Sequence, residues 1–118
     1  MTNRQGQFMK LEQLLTPIQP IEIVGPLDKV ISELACDSRQ VQPDTLFFAL
    51  PGAKVDGFDY LPQALQAGAI AIIAEQIPKT CVENVCYIKV TNARQAMAVV
   101  AAEFYGHPTV GVPVIGVT

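Results

Sequence analysis

Three short apolar runs constrain this chain most: Leu46–Leu50 (LFFAL), Ala69–Ala74 (AIAIIA) and Val85–Val90 (VCYIKV). Runs of this kind suit strands covered on both faces. Between and after them the pattern changes. Tyr60 to Ala67 fits a helix, and Gly68 is placed to cap its C-terminus. Thr91 and Asn92 are good N-cap residues. Beyond them Ala93, Ala96, Met97, Val100 and Phe104 recur at spacings of three and four, one apolar helical face; Gly106 and Pro108 end that helix. Strands alternating with helices from about residue 44 predict an α/β domain, a mixed or largely parallel sheet flanked by helices in three layers.

The first third is less regular. Met9 to Leu15 reads as a short helix with Leu11, Leu14 and Leu15 on one side and Pro17 ending it. Ile21 to Val24 is a β-branched strand closed by Gly25-Pro26, and Val30 to Cys36 reads as one further strand. Val112 to Val117 reads as a last strand, at the very end of the sequence. Residues 1–8 are expected to be a disordered polar leader, without the apolar core of a signal peptide. A length of 118 residues suits one domain, able to bury roughly two-thirds of its unfolded surface.

Composition excludes several classes. Only 16% of residues are charged and the net charge is -3, with the basic residues scattered, so nucleic acid is not an expected partner. No run approaches the roughly 20 apolar residues of a membrane span, and a soluble, cytoplasmic protein is expected. Cys36, Cys81 and Cys86 are odd in number and lack CxxC spacing, so they read as free thiols packed as small apolar groups. His107, the single histidine, has no ligand cluster around it, a poor basis for a metal site.

A search for catalytic motifs finds no HExxH, GxSxG, GxGxxG or GxxxxGK[ST]. Asp56 and Asp59 flank Gly57-Phe58 and read as turn formers. Two places stand out. Asp37-Ser38-Arg39 follows a strand, and ligands in open α/β sheets gather beyond the carboxyl ends of strands. Serine both donates and accepts, and arginine offers a planar donor fork; a simple turn with Arg39 paired to Asp37 is the plainer reading. Gly52-Ala53-Lys54-Val55-Asp56-Gly57 also follows a buried strand. Its glycines allow close backbone approach, so that exposed N–H groups can meet a phosphate; an ordinary loop with a solvated lysine is the alternative.

Together these features resemble the N-terminal domain of the Mur ligases. From Cys36 the chain reads CDSRQVQPDTLFFALPGAKVDGFDYLPQALQAGAIAIIAE, similar to that family's DSR, LF[VF]AL.G, DG and GA.A.[IV].E in order and spacing. FYGHPTVGVPVIGVT resembles the family's entry into its central ATPase domain, which continues there into a GTNGKT phosphate loop; residues 112–118 are accordingly expected to begin that domain, with residues 9–111 as the N-terminal one. The combination of DSR, DG and GVT is specific, and the resemblance covers nearly the whole chain from Met9. The sequence departs from the pattern at Pro43-Asp44-Thr45, where the family has Pro-Gly-Asp, at Phe58, where histidine is common, and at Pro113.

The resemblance implies the UDP-binding domain of an ATP-dependent ligase that joins an amino acid to a UDP-N-acetylmuramoyl precursor of peptidoglycan. Cys36, in a position usually apolar, and Ser38 would meet the uridine end. Ala53, Lys54 and Val55 would sit by the diphosphate, while Asp37 and Arg39 would shape the loop. ATP and magnesium would belong to the full-length parent, none being bound by this part, which alone should be inactive; no catalytic residue is assigned. The expected partners are UDP-N-acetylmuramoyl-dipeptide and the remaining ligase domains. Within the family the FYG.P…GVT ending fits the MurE type, which adds the third residue of the peptide, better than the MurF type. A stand-alone nucleotide-binding or interaction module is the reading from another class.

Overall fold

The computed structural model describes residues 8–52 and 57–105. The expected leader through residue 7, the expected strand Val112–Val117, Ala53 to Asp56 and His107 lie outside the described residues.

In chain order the elements are β1 (Met9–Lys10), α1 (Leu11–Leu15), β2 (Glu22–Val24), β3 (Val30–Ile31), β4 (Glu33–Ala35), β5 (Thr45–Phe48), α2 (Leu61–Ala67), β6 (Ala69–Ala74), β7 (Cys86–Lys89) and α3 (Ala93–Tyr105). Among the described residues five strands form one mixed sheet in the order β2-β7-β6-β5-β4. The four from β4 to β7 run parallel, and β2 pairs antiparallel with β7. A separate two-stranded pair joins β1 to β3.

Side-chain alternation along the central strands divides the core between the two faces. Leu46, Phe48, Ala71, Ile73, Cys86 and Ile88 pack on one face with α1 and with Ala93, Ala96, Val100 and Phe104 of α3. Phe47, Ala49, Ile72, Ala74 and Tyr87 pack on the other with Leu61 and Ala64 of α2. The sheet therefore lies between helices, the three layers expected. Partners along β6 skip Ile70, since Thr45 faces Ala69 and Leu46 faces Ala71; this bulge resets which face each later residue meets.

Several local expectations need correcting. Val30–Cys36 is not one strand: β3 and β4 belong to different sheets, with Ser32 between them. Its N–H donates to the Asp44 carbonyl at 2.9 Å and its Oγ to the Pro43 carbonyl at 3.2 Å, so the chain turns toward the 43–44 segment instead of continuing one ladder. Residues 9–10 pair with β3 before the first helix begins at Leu11, although Leu11, Leu14 and Leu15 are buried as expected. The β4–β5 and β6–β7 connections contain no α-helix; α2 alone makes a helical crossover between parallel strands.

The 43–45 turn explains one departure from the family pattern. Asp44 has φ +64, the left-handed region that glycine occupies freely and aspartate tolerates better than most residues. Its N–H donates to the Gly68 carbonyl at 3.1 Å. Gly68, the C-cap of α2, has φ +123, and a Cβ there would stand 2.7 Å from Pro43 Cα. The two segments fit only because residue 68 lacks a side chain. Gly68→Ala should therefore cost about 1–3 kcal/mol. Asp44→Gly should stay within about 0.5 kcal/mol of the parent, relief of left-handed strain being offset by a looser unfolded chain. Urea denaturation measures both; equal effects would show that the turn is not built around this contact.

Candidate functional site

The carboxyl ends of β4 and β5 open into a cavity of about 790 Å³, within the range of small-molecule sites. The chain leaves β4 at Cys36 and enters a 3-10 turn, Ser38–Gln40. Asp37 caps it in extended backbone, its Oδ1 accepting the Arg39 N–H at 2.9 Å. The same carboxylate accepts from Arg39 Nε at 3.1 Å and Nη2 at 2.8 Å. An exposed pair of this kind adds little stability; its consequence is shape, because one carboxylate fixes both the turn and the arginine. Those hydrogen bonds, the side-chain ones first, hold the Asp37 carboxyl down at about 2 and raise the Arg39 guanidinium.

With Asp37 and Arg39 committed to each other, Ser38 is the turn residue whose side chain crosses the cavity rim. Its Oγ donates to Gln63 Oε1 on α2 at 3.3 Å, long for a hydroxyl bond and thus easily exchanged for a better partner. On the far side Pro51 and Gly52 leave β5, and Arg94 Nη2 donates to the Pro51 carbonyl at 2.7 Å. Tyr60 completes the wall beside α2.

The structure thus brings Cys36, Asp37, Ser38 and Arg39 together at one opening, with Gly52 at its edge. Ala53, Lys54 and Val55, expected near a diphosphate, lie outside the described residues. Sequence reasoning missed Tyr60, Gln63 and Arg94. Helical periodicity puts Arg94 off the apolar face of α3, which marks it as exposed; only the fold places it against the loop after β5.

The thiols differ from the expectation that all three are packed. Cys86 is buried, and burial pushes its thiol up to about 11. Cys36 and Cys81 are exposed, because both fall in connections beyond strand ends. A groove of about 560 Å³ between Pro62, Leu65, Pro78 and Val82 is largely apolar and gathers no comparable set of hydrogen-bonding groups.

Against known proteins, the model of the Mur ligase family, catalytic domain, matches residues 30–105. Among curated proteins, the UDP-N-acetylmuramoyl-L-alanyl-D-glutamate--2,6-diaminopimelate ligase of Bacteroides fragilis is 42% identical over 93% of this chain and 23% of its own length. The protein of the same name in Geobacter metallireducens is 46% identical over 93% of this chain and 21% of its own. The chain thus spans roughly a fifth of the curated relatives it matches. Among solved structures, MurF from Acinetobacter baumannii superposes with a TM-score of 0.70 at 20% identity, over 81% of this chain and 21% of that one, a likeness of fold.

The depressed carboxyl gives the turn a pH signature. Asp37 lies below its unfolded value of 3.8, so its contribution is complete above that pH and is lost as pH falls toward about 2. Carbon-detected NMR titration should place the Asp37 midpoint near 2 and, in Arg39→Ala, move it up toward the ordinary carboxylate value. A midpoint unchanged by Arg39→Ala would refute the pairing as its cause.

Proposed function

This chain belongs to the Mur ligase family, and from that premise we propose that it is the N-terminal domain that holds the UDP end of a UDP-N-acetylmuramoyl-dipeptide in an ATP-dependent, cytoplasmic ligase of peptidoglycan synthesis. The observation that carries the reading is the cavity beyond β4 and β5, where the Asp37–Arg39 turn presents Ser38 and the chain leaves β5 through Pro51 and Gly52. Cys36 and Ser38 would meet the uridine end, and Ala53, Lys54 and Val55 the diphosphate. The names of the curated relatives favour the MurE type, adding the third residue of the peptide, with 2,6-diaminopimelate as that residue.

Neither a metal cluster among the described residues nor a phosphate loop motif in the sequence is found for ATP and magnesium. No group of three or more His, Cys, Asp or Glu among those residues can hold a metal ion, and the sequence has no GxxxxGK[ST] loop. In this reading both belong to other domains of the parent protein, and no step of the ligation is assigned to this one. Its part is recognition. Energy from gripping a remote nucleotide positions the muramoyl-peptide carboxylate that reacts elsewhere. Among the described residues no helix is long and apolar enough to cross a membrane.

Ser38→Ala in the full-length protein tests this reading. Loss of one hydroxyl bond should raise KM for the UDP-muramoyl substrate about two- to ten-fold while leaving KM for ATP unchanged. Unchanged affinity for the UDP-substrate in a folded variant would reduce Ser38 to a turn former.

A further inference from the structure

Among the described residues two cationic side chains line the cavity, Arg39 and Arg94, against one carboxylate, Asp37. They are not equivalent. Arg39 turns both Nε and Nη2 onto Asp37 and is neutralised there. Arg94 bonds a neutral acceptor, the Pro51 carbonyl, and among the described residues no carboxylate pairs with it. Glu75 reaches the same end of α3 but accepts from the Ala93 N–H at 2.9 Å and does not line the cavity. Among the described residues the cation of the lining that no carboxylate neutralises is therefore Arg94, in a chain whose net charge is -3.

Two backbone donors of the first turn of α3 are already committed. The Ala93 N–H is taken by Glu75 and the Gln95 N–H by Asn92 Oδ1 at 3.0 Å. The full positive charge at this end of the helix is the Arg94 guanidinium. Anchored to Pro51 through one nitrogen, it keeps most of its N–H donors, in the planar fork that matches a phosphate. The anchor also limits the cost of ordering a long side chain when a ligand arrives.

We propose that Arg94 is an anion-binding residue of this cavity, recognising the phosphate-bearing part of a nucleoside diphosphate ligand while its bond to Pro51 holds the start of the loop after β5 in place. The proposal rests on the cavity being the nucleotide site and adds to Ala53, Lys54 and Val55 a further group that meets the ligand's charge. Arg94 then sets preference for nucleotide over nucleoside, whereas Ser38 acts on the uridine end.

The test compares UDP with uridine as ligands of the full-length protein, by calorimetric titration of wild type, Arg94→Ala, Arg94→Lys and Ser38→Ala, with thermal melting as the check on folding. Arg94→Ala should weaken UDP about ten-fold and leave uridine unaffected, and the deficit should shrink in high salt. Arg94→Lys, which keeps the charge without the fork, should recover part of the loss. Equal weakening of UDP and uridine by Arg94→Ala would overturn the proposal, since Arg94 would then act only on the shape of the cavity. So would an Arg94→Ala protein that binds UDP like wild type; if Ser38→Ala still weakened both ligands, the nucleotide site would stand without Arg94. Failure of the wild type to bind either ligand would bring down the site and the proposal together.

Discussion

Burial of β5, β6 and β7 on both faces is the constraint from which the rest of this structure follows. Phe47 and Phe48, neighbours in sequence, are each buried against a different helix layer. Strands occupied in this way have no surface to spare for polar chemistry. Hydrogen-bonding and charged side chains can enter only where strands end. With four strands running parallel, their carboxyl ends share one edge, and there the Asp37–Arg39 turn, Gly52 and Arg94 converge.

Polar contacts then hold that edge in register. Asp37 organises its own turn through three hydrogen bonds to Arg39. Arg94 ties the start of α3 to the loop after β5 across 43 residues of sequence. At the other end of the helix, the Tyr105 hydroxyl donates to Glu33 Oε1 at 2.7 Å. Glu33 is buried on β4, and a buried carboxylate is costly unless it is bonded. Burial, reinforced by that bond, raises the Tyr105 hydroxyl and keeps it a proton donor. Thus α3 is fastened near both ends, to the loop after β5 and to β4.

Much of this was legible in the sequence. LFFAL, AIAIIA and VCYIKV are buried strands because apolar continuity reports two-sided burial directly, and the spacing of Ala93, Ala96, Val100 and Phe104 reports the buried face of α3. The split of Val30–Cys36 was not legible: a serine inside an apolar stretch does not reveal that its partners are carbonyls eleven and twelve residues away. Asp37-Ser38-Arg39 stood out by composition, but the bond from Ser38 to Gln63 spans 25 residues. Arg94 was hidden for the same reason. Local pattern fixes which face a residue occupies, and tertiary topology alone decides what that face meets.

The central claim is that nucleotide recognition takes place at the carboxyl ends of β4 and β5. Two-dimensional amide NMR of the isotopically labelled chain, titrated with UDP, tests it most directly. The expected result is a set of shifts that saturates together and centres on Cys36, Ser38, Gly52, Gln63 and Arg94. Shifts centred instead on the apolar groove at Leu65, Thr80 and Val82, or no saturable shifts at the strand ends, would contradict it.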